Sequence, residues 1–363
     1  MTHTIALAAG GTGGHMFPAQ SLAEEARARG WRVILLTDER GLRYTDGFPA
    51  DRIVLLEAAN PNVSGTMAKA QMAYAMFRGV RTARRALKDE GVEAVIGFGG
   101  YPSAPGLFAA RTLRLPYAVH EQNAVLGRVN RKAAPGARFV AHGFSRLDRL
   151  PPLKGDLVET GNPVRGAVRE AASSPYETPT SEGPLRVLIF GGSQGAALFG
   201  RVFAPALASL PEDLRHRLDV THQVPQADQD TVKAVYYAAG IKAELAPFFA
   251  DLPERTARAH YVISRSGASS VTEIAVIGRP SLLVPLGIAM DDHQRINAET
   301  LVAANAADLL PENEATADRA AAMLLPRLRD AEWLQTAAAA ARATAPDHAA
   351  AKLADMVADL LGN

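Results

Sequence analysis

The residues of this chain best suited to chemistry are a few histidines, carboxylates and amides set among glycines, and they recur at one kind of place. Gly10-Gly11-Thr12-Gly13-Gly14-His15 follows the apolar run Ile5-Ala6-Leu7-Ala8. Gly99-Gly100-Tyr101-Pro102-Ser103 follows Ala94-Val95-Ile96, and Gly191-Gly192-Ser193-Gln194-Gly195-Ala196 follows Val187-Leu188-Ile189-Phe190. Glycine lets a backbone approach an anion, and a helix N-terminus offers unpaired N–H groups and a positive dipole end. A buried strand running through a glycine turn into a helix is therefore a phosphate cradle. Three such turns, two of them in matching positions, predict two similar α/β halves facing one ligand cleft.

Three polar clusters occupy comparable positions. His120-Glu121-Gln122-Asn123 follows Tyr117–Val119, Gly161-Asn162-Pro163-Val164-Arg165 follows Leu157–Thr160, and Ser264-Arg265-Ser266-Gly267-Ala268 follows Tyr261–Ile263. Each has a plain alternative: His120 as a satisfied buried histidine, Asn162-Pro163 as a turn. Their shared place at strand ends, where open α/β sheets bind ligands, makes them site candidates together. In the last cluster the small residues at a helix start can hold a diphosphate, and Glu273 one turn on can accept from ribose hydroxyls. The local sequence Ser270-Val271-Thr272-Glu273 also fits a capping box, which on its own is the simpler reading.

Several chemistries are absent. Gly10–His15 lacks the Gly-Lys-Ser/Thr ending of a nucleotide triphosphatase loop, and Met16 occupies the last glycine position of a dinucleotide fingerprint. His120 has no histidine four residues on, so the zinc-protease helix motif is missing. Asp228-Gln229-Asp230 spells the Asp-x-Asp of metal-dependent sugar transferases, but it sits in a polar, helical stretch and reads as a solvated face. No metal site and no cofactor are expected. The chain has no cysteine, hence no disulfide, thiol nucleophile or thiolate metal site.

The elements that must position these residues alternate strand and helix. Ile5–Ala9, Val33–Thr37, Ala94–Phe98, Tyr117–His120 and Phe139–Ala141 read as buried strands of the first half; Arg186–Phe190, Leu218–His222, Tyr261–Ser264 and Ser281–Val284 read as those of the second. Such alternation implies parallel sheets covered on both faces. With 363 residues, two domains are expected, and an alanine-rich tail from Ala331 to Leu361 is helical. The net charge of +1 gives no reason to expect nucleic acid. No basic leader followed by a long apolar stretch opens the chain, and no apolar run is long enough to span a bilayer, so a cytoplasmic location is the default.

One helix carries a different message. Met67–Lys88 holds Lys69, Arg78, Arg81, Arg84, Arg85 and Lys88, with no acid until Asp89. Met72, Met76, Val80, Ala83 and Leu87 fall on another side, and Tyr74 and Phe77 add aromatic surface. Part of the apolar stripe suits the core. The basic end suits an anionic membrane surface, where each cation contributes about 1 kcal/mol.

Taken in order, the three glycine loops, His120–Asn123, Gly161–Arg165 and Arg265–Ala268 resemble the bacterial MurG family. That family adds N-acetylglucosamine to the lipid-linked muramyl-pentapeptide precursor of peptidoglycan, a step of cell-wall biogenesis on which cell shape and division depend. The resemblance runs from Ile5 to Asn297. It implies a GT-B fold, with two Rossmann-like domains and a C-terminal helix returning to the first: residues 1–160 with 344–363 for acceptor and membrane, and 161–343 for the UDP-sugar. It also implies a peripheral place on the cytoplasmic face of the inner membrane.

Roles follow from the resemblance residue by residue. Ser193, Phe249 and Ala268, Ser269, Ser270, Val271, Thr272 and Glu273 match contacts to uridine, ribose and diphosphate. Family members often have an aliphatic residue where Phe249 stands. Arg165 matches a phosphate or uracil-side contact, and Gln294, with Asn297 close behind, matches a ligand of the sugar hydroxyls. Thr12, Gly13, Gly14 and Asn123 match donor contacts from the first domain. His15, Tyr101, His120, Glu121 and Asn130 match the acceptor side. On this reading Glu273 shifts from cap to ribose ligand. The reaction displaces UDP with the acceptor's 4-hydroxyl, with inversion; His15 is the first candidate base, the rival being His15 on the acceptor pyrophosphate with Glu121 or His120 taking the proton. Two other readings are another GT-B transferase with a different acceptor, and a nucleotide-sugar binder or epimerase that makes no transfer.

Overall fold

The computed structural model describes residues 2–58, 65–191, 197–287, 292–346 and 348–362. The chain forms two compact units, residues 1–165 with 346–363, and residues 166–345. Each is built on one parallel sheet with helices on both faces.

The first sheet contains β1 (Thr4–Ala8), β2 (Arg32–Thr37), β3 (Arg52–Leu55), β4 (Ala94–Gly97), β5 (Tyr117–Glu121), β6 (Phe139–His142) and β7 (Asp156–Glu159), in the order β3-β2-β1-β4-β5-β6-β7. The second contains β8 (Leu185–Phe190), β9 (Leu218–Gln223), β10 (Lys242–Ala246), β11 (Tyr261–Ser264), β12 (Ser281–Leu283) and β13 (Ala307–Leu309), in the order β10-β9-β8-β11-β12-β13. Strand order reverses between β1 and β4 in one sheet and between β8 and β11 in the other. At such a switch point the connections leave to opposite faces and open a crevice at the carboxyl ends. The strands that precede the three glycine loops and the Ser264–Ala268 cluster, β1, β4, β8 and β11, border these crevices, and β5 lies next to β4.

Strand alternation fills both faces of the first sheet. Ile5 and Leu7 join one core with Met16 and Leu22 of the helix Gly13–Ala28. Ala6 and Ala8 join the other with Ile34, Leu36, Ala83, Leu87 and Leu107. Continuous apolar runs form because both faces are covered. The sequence does not signal β3, β10 or β13 because they lie at sheet edges or are only partly buried.

The alanine-rich tail is two helices rather than one. Ala331–Ala343 packs in the second unit, and Ala349–Leu361 in the first. Pro346 accounts for the break, because it lacks an N–H and disfavours helical backbone at the residue before it. Leu353, Ala354 and Val357 of the last helix are fully buried in the core that holds Ile5, Leu7 and Leu22. Arg29 clasps the helix through the Ala351 carbonyl at 3.3 Å and the Asp355 carboxylate at 2.7 Å.

Burial also leaves three imidazoles neutral. It pushes the His120 pKa from 6.5 down to about 4, that of His222 to about 3 and that of His260 to about 4, the last with help from Arg186, Arg279 and Arg217.

Two outcomes are expected. Leu353→Ala should destabilise the first unit by about 2–5 kcal/mol in urea denaturation; an unchanged midpoint would mean the returning helix is not part of that core. A histidine with a depressed folded-state pKa takes up its proton on unfolding. Its stabilisation is therefore whole above pH 6.5 and is lost as the pH falls toward 4, His120 alone accounting for about 3 kcal/mol. The urea midpoint should drop between pH 7.5 and 5, and a flat profile would show that protons reach these rings in the folded chain.

Candidate functional site

The first crevice is walled by the loops after β1, β4 and β5. Thr12 stands in extended conformation ahead of the helix Gly13–Ala28, but its side chain makes no cap and no acid lies in the first turn. The first turn of this four-turn helix thus carries no acid of its own at its positive end. The loop is anchored from the side by Asp38, whose Oδ1 accepts from the N–H groups of Gly11 at 2.9 Å and Gly41 at 3.0 Å. Pro102, in the loop after β4, packs where a Cβ on Gly10 would stand, so the two loops touch backbone to side chain. Arg165 lies 3.9 Å over the ring of Phe17, one turn into the same helix.

At the end of β5 the polar cluster turns inward. His120 is fully buried; its Nε2 lies 3.1 Å from the Gly161 carbonyl oxygen and its Nδ1 3.0 Å from Gln122 Nε2. Gln122 Oε1 lies 3.0 Å from His15 Nδ1. Glu121 is also buried, and its carboxylate accepts four N–H bonds: from Asn123 N and Nδ2 at 3.1 Å each, and from Gly127 N and Asn130 Nδ2 at 2.9 Å each. Asn130 is buried beneath Gly99 and also donates to the His120 carbonyl at 3.1 Å. Tyr101 is half-buried in the loop after β4. The structure thus gathers His15, Glu121, Asn123, His120, Asn130 and the Gly99–Tyr101 loop around one crevice. A fully buried His120 and Asn130 reach a ligand only through their neighbours. The Glu121 carboxylate is committed to holding the loop 121–130.

In the second unit the key element is the helix Ala268–Ile277. Its cap lies three residues before the proposed one: Gly267 is the N-cap, in extended backbone, and no side chain caps it. This corrects the capping-box reading of Ser270–Glu273, since Ser270 lies inside the first turn and Glu273 further along the helix. The first helical bond runs from Val271 N–H to the Gly267 carbonyl at 3.0 Å, so the N–H groups of Ala268, Ser269 and Ser270 stand ahead of the helical ladder. Among the described residues, Ser266 Oγ and Ser269 Oγ are buried without a hydrogen-bond partner. Val271 and Thr272 are buried, which confines them to backbone contacts, whereas Ser269, Ser270 and Glu273 are half-buried.

Neighbouring loops are laced to this helix. Arg265, buried, donates to the Val284 carbonyl at 3.2 Å and to Glu312 at 2.9 Å. Gln294 accepts from Leu286 N–H at 2.9 Å, and Asn297 donates to the Ser266 carbonyl at 3.2 Å. Ser193 lies outside the described residues. The Phe249 ring is buried with the Arg255 guanidinium 4.3 Å above it, while Phe248 is 71% exposed. The free ring of that loop is therefore Phe248, and Phe249 can offer a ligand little beyond backbone. Sequence reasoning gave Gln122 no role of its own within its cluster, and missed Phe248, Asp38 and also Gln223, which accepts from Gly191 N–H at 3.0 Å and donates to the Pro247 carbonyl at 3.1 Å. Their common signal was available: Asp38, Gln122 and Gln223 lie at or just past the carboxyl end of a parallel strand.

The basic helix spans Thr66–Asp89. Its second half packs through Gly79, Ala83, Ala86 and Leu87; its first half exposes Met67, Tyr74 and Phe77. Phe108 of the adjoining helix Ser103–Leu113 is exposed as well. Arg78 pairs with Glu57 at 2.8 Å and Arg85 with Asp89 at 3.5 Å. Among the described residues no helix is long and apolar enough to cross a membrane.

The glycosyltransferase family 28 N-terminal domain pattern matches residues 5–141, and its C-terminal domain pattern matches residues 186–354. The UDP-N-acetylglucosamine--N-acetylmuramyl-(pentapeptide) pyrophosphoryl-undecaprenol N-acetylglucosamine transferase of Phenylobacterium zucineum is 46% identical over 358 residues, covering 98% of this chain and 98% of its own. The transferase of the same name from Rhodospirillum centenum is 46% identical over 359 residues, covering 99% of this chain and 94% of its own. The crystal structure of Acinetobacter baumannii MurG is similar with a TM-score of 0.77 at 29% identity, over 99% of this chain and 100% of that one. With two parallel-sheet units of the GT-B type and near-full-length identity of this order, the chain belongs to the MurG family of glycosyltransferases.

Proposed function

We propose that this protein transfers N-acetylglucosamine from UDP-N-acetylglucosamine to the muramyl 4-hydroxyl of undecaprenyl-pyrophosphoryl-N-acetylmuramyl-pentapeptide, with inversion at the anomeric carbon. The observation that carries this is the 46% identity to transferases of that name over 98% of the chain. The site geometry supports a division of labour. Ala268–Ser270, with the Ser266 and Ser269 hydroxyls, take the UDP diphosphate; Glu273 takes the ribose; Gln294 takes the sugar hydroxyls. Ser193, the Phe249 loop and Arg165 serve the uridine side, with Thr12, Gly13, Gly14 and Asn123 as donor contacts from the first unit. Tyr101 and His15 face the acceptor, with His120 and Asn130 behind them.

The physical argument runs through charge. As the glycosidic bond to UDP breaks, the leaving diphosphate gains negative charge. The N-terminus of Ala268–Ile277 offers fixed N–H donors and the positive end of a dipole where that charge grows. The acceptor hydroxyl must lose its proton. The Glu121 carboxylate is saturated by four donors and His120 is sealed from solvent, which leaves His15, half-buried in the first turn of the helix Gly13–Ala28, as the base. Oriented reactants in a shielded site supply much of the remaining rate.

The acceptor's lipid tail calls for a membrane surface. The exposed Met67, Tyr74, Phe77 and Phe108, beside Lys69 and Arg81, fit a peripheral contact with anionic lipid.

Incubation with radiolabelled UDP-N-acetylglucosamine and a short-chain lipid-linked muramyl-pentapeptide should give transfer with chelator present, and none from UDP-glucose. Donor hydrolysis or epimerisation without transfer would reject the acceptor assignment. His15→Gln should lower kcat by about 10²–10⁴-fold, the range of positioned acid–base catalysis. Reversing Arg81 and Arg85 to Glu should weaken binding to anionic vesicles in flotation; equal binding would make the helix purely structural.

A further inference from the structure

We infer that Gln122 is a positioning residue that fixes the proton of His15 on Nδ1 and so keeps Nε2 bare as the proton acceptor. The inference rests on the reading of His15 as the base, and its evidence is a chain of four groups whose hydrogen bonds can run in only one direction.

The chain begins at a carbonyl. Gly161 O accepts only, so His120 Nε2, at 3.1 Å, carries the hydrogen. In a neutral imidazole the other nitrogen is then a lone pair, and burial keeps this imidazole neutral, with its pKa near 4. His120 Nδ1 must accept, and the group 3.0 Å away is the amide nitrogen of Gln122. A second contact fixes that amide: Gln122 Nε2 also lies 3.0 Å from the His120 carbonyl oxygen. Flipping the amide would set its oxygen against a carbonyl oxygen and a nitrogen lone pair, two repulsive contacts in a buried place. Gln122 is 2% exposed and its own carbonyl accepts from Asn162 Nδ2 at 2.9 Å, so neither its backbone nor its side chain has a competing arrangement.

The amide oxygen is left facing His15. It lies 3.0 Å from His15 Nδ1, and an amide oxygen only accepts, so Nδ1 carries the hydrogen and Nε2 does not. Without a partner on Nδ1, a neutral histidine favours the opposite tautomer, which blocks the nitrogen that would take a proton. The space in front of Nε2 is kept clear by the chain itself. Gly100 has φ +69°, and a Cβ there would stand 3.1 Å from Nε2 and 2.9 Å from Cδ2. A side chain at Gly100 would close the approach to the lone pair that Gln122 exposes. The carbonyl of Gly161, just past β7, therefore sets the protonation pattern of a ring on the first helix.

The test reads the tautomer directly. Histidine-specific ¹⁵N and ¹³C labelling of the full chain, with His15 resonances assigned by their loss in His15→Gln, should show the Nδ1–H form in the wild-type protein. Gln122→Met removes the accepting oxygen and should shift His15 toward Nε2–H, with kcat falling by about tenfold to a hundredfold, less than the about 10²–10⁴-fold of losing a positioned base outright, and the KM for UDP-N-acetylglucosamine unchanged. Gln122→Glu, with its buried carboxyl protonated, keeps an oxygen facing His15 and an O–H facing His120, and should return the Nδ1–H signature and most of kcat. An Nε2–H signal at His15 in the wild type would overturn the proposal, as would an unmoved tautomer in Gln122→Met. Equal loss of kcat in both variants would also overturn it, by assigning Gln122 a packing role only. Full turnover by His15→Gln would instead overturn the base assignment of the preceding section, whatever the tautomer.

Discussion

Parallel strands deliver all their carboxyl ends to one edge of a sheet, and the chemistry of this chain is arranged by that constraint. Backbone N–H groups at the starts of the following helices point to the same edge, with their dipoles aligned. Where strand order reverses, between β1 and β4 and between β8 and β11, the connecting loops part and leave room for a ligand. The helix start that carries His15 and the loop that carries Tyr101 flank the first reversal; the segment Arg265–Gly267 borders the second. The site residues come from distant parts of the sequence because the topology brings strand ends together, whatever their separation in the chain.

Loops at such an edge must be held still if they are to orient substrates, and the two units solve this with buried charges of opposite sign. In the first, the Glu121 carboxylate gathers N–H groups from Asn123, Gly127 and Asn130. In the second, the Arg265 guanidinium gathers the carbonyls of Val284 and Pro285 and the carboxylate of Glu312, which in turn accepts from Gly287 N–H. Desolvating an ion is costly unless it is hydrogen-bonded throughout, and a bonded ion tolerates no partial rearrangement of its shell. Each charge therefore trades solvation for a loop with one conformation. Glu121 and Arg265 are the sort of residue that looks catalytic in a sequence and acts in the structure by holding others.

Most of the fold was legible in the sequence because a doubly covered parallel strand is apolar on both faces. Ile5–Ala8, Val187–Phe190 and Tyr261–Ser264 left unmistakable runs. Lys242–Ala246 did not, because it lies at a sheet edge with its side chains half in solvent. The site was legible to the level of loops. The roles of single side chains were not, because they depend on which atoms meet. His120 and His15 are both histidines near strand ends, yet one is sealed and the other is half-buried. Phe248 and Phe249 are adjacent and alike, and only the packing under Arg255 decides which ring is free. The helix start at Gly267 escaped because Ser270-Val271-Thr272-Glu273 satisfies the local rule for a cap, and tertiary context moved the true cap three residues earlier.

The basic helix raises a question of rigidity that packing answers. A surface that docks on a membrane is useful to a transferase only if its distance from the reacting atoms is fixed. Thr66–Asp89 meets that condition through Gly79, where a Cβ would lie 3.2 Å from Pro105 Cγ, and through Ala83, Ala86 and Leu87 in the core. Pro105 belongs to Ser103–Leu113, the helix that starts directly after the Gly99–Tyr101 loop and carries the exposed Phe108 in its middle. One helix thus has the Gly99–Tyr101 loop at its N-terminus and an exposed apolar ring on its surface, with the basic helix packed against it at close range. On the proposed function, lipid engaged at Met67, Phe77 and Phe108 would sit at a fixed offset from Gly100 and His15. No hinge is needed between docking and proton transfer, because the connection is helix-to-helix packing within the first unit rather than a flexible linker.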